Sequence, residues 1–278
     1  MKNFSIPLAE IVNKFFDNYI NYIAPITRQI SEVLDSLIDI NEKLLLFVNP
    51  FILILLLTLL VWFLIKSKKL CSFVVISLVF ILGLDLWNEA LSTLALVITG
   101  TFISLLIAIP LGIAASLSDR FQRILRPVLD LMQTLPSFVY LIPAVMFFGL
   151  GKTSALVAIL IFSMPPAIRL TNLGIREVPV DKIEAARAFG ATKLQILTGV
   201  QLPLATKTIM AGVNQCIMMA LSMSVIAAMI GAGGLGRGVL TAMQTVDIGM
   251  GIEGGLGIVI LAVLLDRTTE HLAKKQEV

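Results

Sequence analysis

The sequence predicts an all-α, polytopic membrane protein with about seven transmembrane helices, and three observations carry that prediction. Of 278 residues, 58% are hydrophobic and only 14% charged, with a mean hydropathy of +0.96. An ordinary soluble domain carries about 25% charge. Several runs without a single charge reach the roughly 20 residues that cross about 30 Å of hydrocarbon. Finally, no stretch alternates apolar and polar residues over the roughly 10 positions that a membrane β-strand needs, so helices rather than a barrel are expected.

Taken in order, residues 1–43 form an amphipathic extracytoplasmic or interfacial segment. Leu8, Ile11, Val12, Phe15, Phe16, Tyr19 and Ile23 follow helical spacing, with Glu10, Lys14, Asp17 and Asn18 largely between them. Pro25 is expected to interrupt, and a second stripe resumes with Ile30, Val33, Leu34, Leu37 and Ile38. Such helices lie in a membrane interface or pack across a neighbouring bundle. The same charges interrupt residues 1–23, so no cleavable signal peptide is expected there. Residues 44–88 hold two accessory spans, Leu44 to Ile65 and Leu70 to Leu84. Residues 89–270 hold five more: Ala90 to Ser118, Leu131 to Gly151, Thr153 to Ile168, Thr208 to Gly236, and about Gly251 to Leu265. Residues 271–278 are a polar tail.

Orientation follows from the basic residues, which accumulate in cytoplasmic loops. The loops after the first, third and fifth spans, with the C-terminal tail, hold 15 of the 21 Lys and Arg. The N-terminus is therefore expected outside and the C-terminus in the cytoplasm. Cys71 and Cys216 have no metal-ligand spacing and read as packing residues. His271 stands alone, so no metal site is expected. The stretch Gly149 to Thr153 (GLGKT) resembles a phosphate-binding loop, but Met146 stands where the pattern requires glycine and no strand precedes it. The glycine run Gly231 to Gly238 lacks a Rossmann strand and fits an outer turn, gate or connector.

The segment Arg169 to Lys207 differs in kind, with nine charged residues ahead of a 29-residue run, Thr208 to Gly236, that has none. Asp181 and Glu184 have capping-box spacing, and Pro179 precludes helix upstream. Gly190 suits a helix C-terminus, Thr192 caps a second short helix from Lys193 to about Val200, and Pro203 is expected to stop it. Helices this short are marginal in isolation. The segment therefore packs on its own span ends or docks into a cytoplasmic protein.

This stretch resembles the cytoplasmic signature of ABC importer permeases, EAA, three residues, Gly, nine residues, Ile, any residue, Leu-Pro. Glu184, Ala185, Ala186, Gly190, Leu202 and Pro203 fit it, with Val200 in place of Ile. The stretches LMQTLPSFVYLIPAVMFFGLG, SMPPAIRLTNLGI, VQLPLATKTIMAGVNQ and IGAGGLG are similar to permease subunits of the glycine betaine/proline betaine (osmoprotectant) uptake family, which are binding-protein-dependent and of type I. The resemblance covers about Leu91 to Asp266. It implies a five-helix type I core whose coupling helix fits a cleft on a separate ATPase, with Gly190 allowing the bend and Glu184, the alanines and Phe189 shaping the docking face. It further implies two ATPase copies, a second permease copy and an extracytoplasmic binding protein in a bacterial cytoplasmic membrane. ATP and Mg would sit on the ATPase; this chain would be non-catalytic, bind no cofactor and engage the lipid bilayer, and no nucleic acid is expected.

Polar residues within spans face the bundle interior or a cavity. Gln133, Ser137 and Tyr140 are spaced to share one helical face, and Asn214, Gln215 and Ser222 lie in the following charge-free run. Either set lines a pathway or makes interhelical hydrogen bonds. Without a mid-span carboxylate, the sequence does not favour a proton-coupled carrier. The resemblance implies glycine betaine or a related quaternary ammonium compound as the substrate. Alternatives are choline, carnitine, proline or another amine on the same machinery, and in other classes a secondary transporter or a non-transporting scaffold.

Overall fold

Helices account for every regular element among the described residues, because apolar segments in lipid must satisfy their backbone hydrogen bonds internally. The computed structural model describes the backbone of residues 7–275, and side chains there apart from 8–9, 11–13, 15–23 and 273–275. The expected stripe Leu8 to Ile23 and the last three residues lie outside that description.

Helix α1, Leu8–Phe47, runs unbroken through Pro25, contrary to the sequence expectation. A proline inside a helix removes one hydrogen bond and kinks it, but a long helix with a continuing apolar stripe survives that loss. It also runs past residue 44, where the first span was expected to start. The chain then turns through 107° into α2, Pro50–Ile65. Asn49 caps α2 by accepting from Phe51 N at 3.0 Å, and Pro50 sits in the first turn, where its missing N–H costs nothing. Lys66, in the left-handed region at φ 57°, reverses the chain into α3, Lys68–Gly83.

Four helical stretches are individually long and apolar enough to span a membrane: Trp87–Leu117, Lys152–Arg176, Lys193–Ile230 and Ile248–Leu272. Two bent pairs bring the number to six. Four to six helical stretches of spanning length thus stand against the expected total of about seven transmembrane helices. Helix α3 has 16 residues, about 24 Å at 1.5 Å per residue, and is shorter than the hydrocarbon core.

The expected span Leu131 to Gly151 is broken. Helix α5, Asp119–Thr134, meets α6, Ser137–Phe148, at 99°. Pro136 supplies no N–H and pushes Leu135 into extended conformation at ψ 137°, so the helix cannot pass. The expected span Thr208 to Gly236 ends early as well. Helix α10, Leu202–Ala227, closes in a 3₁₀ turn over Ala228–Ile230, and α11, Leu235–Thr245, follows. Between them Gly231, Gly233 and Gly234 all have positive φ. Gly234 lies where a Cβ would come within 2.3 Å of Thr93 Oγ1 on α4, Trp87–Leu117. The glycine run is therefore a fixed turn.

The core is the packing of α4, α7 (Lys152–Arg176) and α10, with α12 (Ile248–Lys275) alongside. Small residues let these helices approach closely. At Gly112 of α4 a Cβ would stand 2.6 Å from Thr171, and at Gly174 of α7 one would stand 2.8 Å from Thr208. Buried Ser104 and Ser163 hydroxyls bond each other at 2.8 Å across α4 and α7. At the end expected to face outward, α1 crosses the bundle. Lys152 Nζ meets Asp39 at 2.8 Å and also Glu42, and Thr153 donates to Asp35.

Candidate functional site

The charged segment forms a bent pair of short helices at the C-terminal ends of α4 and α7, opposite Lys152. Helix α8, Val180–Ala188, starts after Pro179, which occupies the N-cap itself. Asp181 therefore falls in the first turn rather than at the cap, and the expected Asp181–Glu184 capping box does not form. Its carboxylate still opposes the positive end of the helix dipole. At the other end, Gly190 N donates to Arg187 O at 2.9 Å and Ala191 N to Ala186 O at 3.1 Å. That pair of bonds is a Schellman motif, and it puts Gly190 at φ 81°, where a Cβ would be strained. Thr192 and Gln195 then make a full capping box at α9, Lys193–Ile196. The bend at Gly190 and the cap at Thr192 are thus as the sequence predicts.

Pro203 does not stop the second helix. Residues Leu197–Gln201 form a π-helical turn in which Leu202 N reaches back to Leu197 O, and Pro203 lies in the first turn of α10. A wider turn removes the clash between the proline ring and the preceding carbonyl, so the segment runs straight into a membrane helix. Ile196 and Leu197 are buried, and Leu197 packs with Ile175, Ala205, Ile113 and Leu202. The segment is thus anchored on one side to three bundle helices.

Its other side is uncovered. Phe189 is 93% exposed, Leu194 69% and Val180 66%. Leaving an aromatic side chain in water forfeits about 1.5–3 kcal/mol of burial. The bilayer cannot recover it here, because Lys182, Arg187 and Lys193 flank these positions and a buried cation costs about 2.5–3.5 kcal/mol. Glu184, Ala185 and Phe189 are exposed, Ala186 is half-buried, and Glu184 has no ion pair among the described residues. Val180 and Leu194 were not singled out from the sequence, since an apolar residue between charges gives no periodic signal.

The six polar residues expected along a pathway separate. Gln133 lies exposed near the end of α5, whereas Ser137 and Tyr140 belong to α6 beyond the 99° break, so the three do not share a helical face. Tyr140 is buried, and its hydroxyl contacts the carbonyl oxygens of Met132 and of Leu135 (3.3 Å), stapling the break that Pro136 makes. Asn214 turns to α12, donating to Asp266 at 2.9 Å and accepting from Thr269 at 2.5 Å. Gln215 and Ser222 are seven residues apart on α10 and remain exposed, in line with Ala211 and Met229. Among the described residues, no helix covers this face of α10.

Comparison with known proteins agrees with this geometry. A model of the family described as "Binding-protein-dependent transport system inner membrane component" matches residues 104–278. The glycine betaine transport system permease protein OpuAB of Bacillus subtilis (strain 168) is 45% identical over 98% of this chain and 96% of its own length. The glycine betaine/carnitine transport permease protein GbuB of Listeria monocytogenes is 46% identical over 98% of this chain and 97% of its own. A chain from inward-facing crystals of the MetNI methionine ABC transporter superposes with a TM-score of 0.62 at 22% identity, covering 66% of this chain and 93% of that one. Helical membrane core, family match and full-length relatives together place this chain in the family of inner-membrane permease components of binding-protein-dependent ABC importers.

Proposed function

We propose that the chain forms the translocation pathway of an ATP-driven importer for glycine betaine or a closely related methylated ammonium compound. The observation that carries this reading is the anchored, bent segment Val180–Leu202, whose exposed Phe189, Leu194 and Val180 need a protein partner. That partner is a separate ATPase carrying ATP and Mg; the permease itself is non-catalytic. Glu184, Ala185, Ala186, Phe189 and Gly190 form the docking face, and Leu202 and Pro203 pass its movement into α10 through the π turn. Closure of two ATPase copies would draw two such segments together and reorient the membrane helices.

Two permease copies are supported by the uncovered face of α10, where Gln215 and Ser222 would line the passage between copies. The distribution of basic residues supports an N-terminus outside and a C-terminus in the cytoplasm. In that orientation α1 lies at the outer surface, within reach of a binding protein that delivers substrate. The substrate class is supported by the names of relatives, which include trimethylamine N-oxide transport permeases at 37% and 42% identity. All these compounds are methylated ammonium zwitterions or dipoles, for which a pathway without a mid-span carboxylate suffices.

Uptake of labelled glycine betaine in cells lacking the gene, against complemented cells at high external osmolarity, tests this reading. Restored uptake that yields to close betaine analogues supports it. Restored uptake of a different amine overturns the substrate, and no transport of any kind overturns the importer.

A further inference from the structure

We propose that a cleft between the first turn of α3 and the last turns of α12 binds the phosphate of an anionic phospholipid. The cavity measures about 340 Å³. At one end it is lined by Ser67, Lys69, Arg267 and His271, and at the other by Leu70, Phe73 and Val263.

The polar end is cationic by construction. Lys69, which lines the cleft, has no carboxylate partner among the described residues; Lys66 and Lys68 lie near it in sequence but do not line the cleft. Arg267 touches Glu270 at 2.9 Å, but in this surface contact the Arg267 side chain remains 55% exposed. The neighbouring Asp266, which could neutralise the cleft, is turned away to Asn214 on α10 at 2.9 Å. The imidazole of His271 is held by the Arg267 carbonyl, with Nδ1 at 2.8 Å. Positive side chains from two helices thus face one space with a single carboxylate beside it.

The other end decides what kind of anion fits. From Leu70, Phe73 and Val263 an apolar track continues along both helices through Ile76 (64% exposed) and Val259 (57% exposed). A soluble anion would fill the cationic end and leave this track bare. A phospholipid fills both, its phosphate among the cations and its acyl chain along α3 and α12. Basic pockets between membrane helices on the cytoplasmic side recognise anionic headgroups in this way. The inference rests on the proposed orientation only in assigning the cleft to the inner leaflet.

The test uses the full chain, purified in detergent and titrated with phosphatidylglycerol or phosphatidylcholine while bound lipid is counted by native mass spectrometry. The parent should retain phosphatidylglycerol in preference to phosphatidylcholine. Lys69→Ala/Arg267→Ala should weaken that retention about tenfold, whereas Arg120→Ala/Arg123→Ala, which removes two cations from another inner helix, should not. The conservative Lys69→Arg variant should retain it, which separates loss of charge from loss of fold. Equal retention of both lipids, equal weakening in the two double variants, or full displacement by inorganic phosphate would each overturn the proposal. Impermeant thiol labelling of Ser67→Cys in cells reports the orientation separately: labelling from outside would reverse the leaflet without touching the binding result.

Discussion

The two ends of the bundle are finished in opposite ways. At the end that carries Lys152, polar groups find partners within the chain: Lys152 takes Asp39 and Glu42, Thr153 takes Asp35, and Asn41 donates to Thr99 at 3.0 Å. At the other end the segment Val180–Leu202 is anchored through Ile196 and Leu197 yet leaves Phe189, Leu194 and Val180 in the open. The contrast separates polar groups that are satisfied within the chain from apolar side chains that the chain leaves uncovered, and the proposed ATPase interface lies on the second.

The largest expected effect breaks the open end. Phe189→Asp should lower affinity for the ATPase by 30-fold or more, since central apolar anchors are worth about 2–4 kcal/mol. The melting temperature of the isolated permease should not move, because the side chain is 93% exposed. Pull-down of the ATPase and a detergent melt measure both. A drop in melting temperature matching the loss of binding would show that Phe189 serves the fold.

Next comes the closed end. Lys152→Met removes one cation and leaves Asp35, Asp39 and Glu42 facing one another. The ion pairs are partly exposed, with Lys152 at 31%, so the loss is about 1 kcal/mol rather than the larger cost of a buried pair. The variant should melt lower in dilute buffer, and molar salt should narrow its gap to the parent by screening both the pairs and the repulsion. A gap that does not depend on salt would place the role of Lys152 in packing. The most local effect is expected from Thr192→Ala, which deletes the cap of α9 at a cost of about 1 kcal/mol. It should raise amide exchange between residues 190 and 196 without changing the bundle. Exchange unchanged there would mean that burial of Ile196 and Leu197 alone holds the segment.

These regions also differ in how far they could be read from sequence. The bend at Gly190 and the cap at Thr192 were legible, because a glycine after a helix and a Thr three residues before Gln act locally. Asp181 was misplaced by one step of the same logic: Pro179 already occupies the cap, so the aspartate moves into the first turn. Pro203 illustrates the limit of proline rules. Pro136 breaks its helix because Leu135 becomes extended, whereas Pro203 is absorbed by a π turn whose hydrogen bond from Leu202 to Leu197 bypasses the clash. Both look alike in sequence. The partners of Lys152 lie 113 and 110 residues upstream, so no local pattern could announce them. For Tyr140 and Asn214 the sequence left pathway lining and hydrogen bonding between helices both open, because a polar residue in an apolar run does not reveal which neighbour it meets; the structure shows the hydrogen bonds.

In the proposed mechanism the segment around Gly190 transmits ATP-driven movement to the membrane helices. Its most direct test is substrate-stimulated ATP hydrolysis and glycine betaine uptake by the reconstituted assembly carrying Gly190→Val. A β-branched residue is strained at φ 81°, so the Schellman turn should deform while the bundle melts as the parent does. Uptake should fall, and hydrolysis should no longer respond to substrate. A Gly190→Val assembly that hydrolyses and transports like the parent would contradict it.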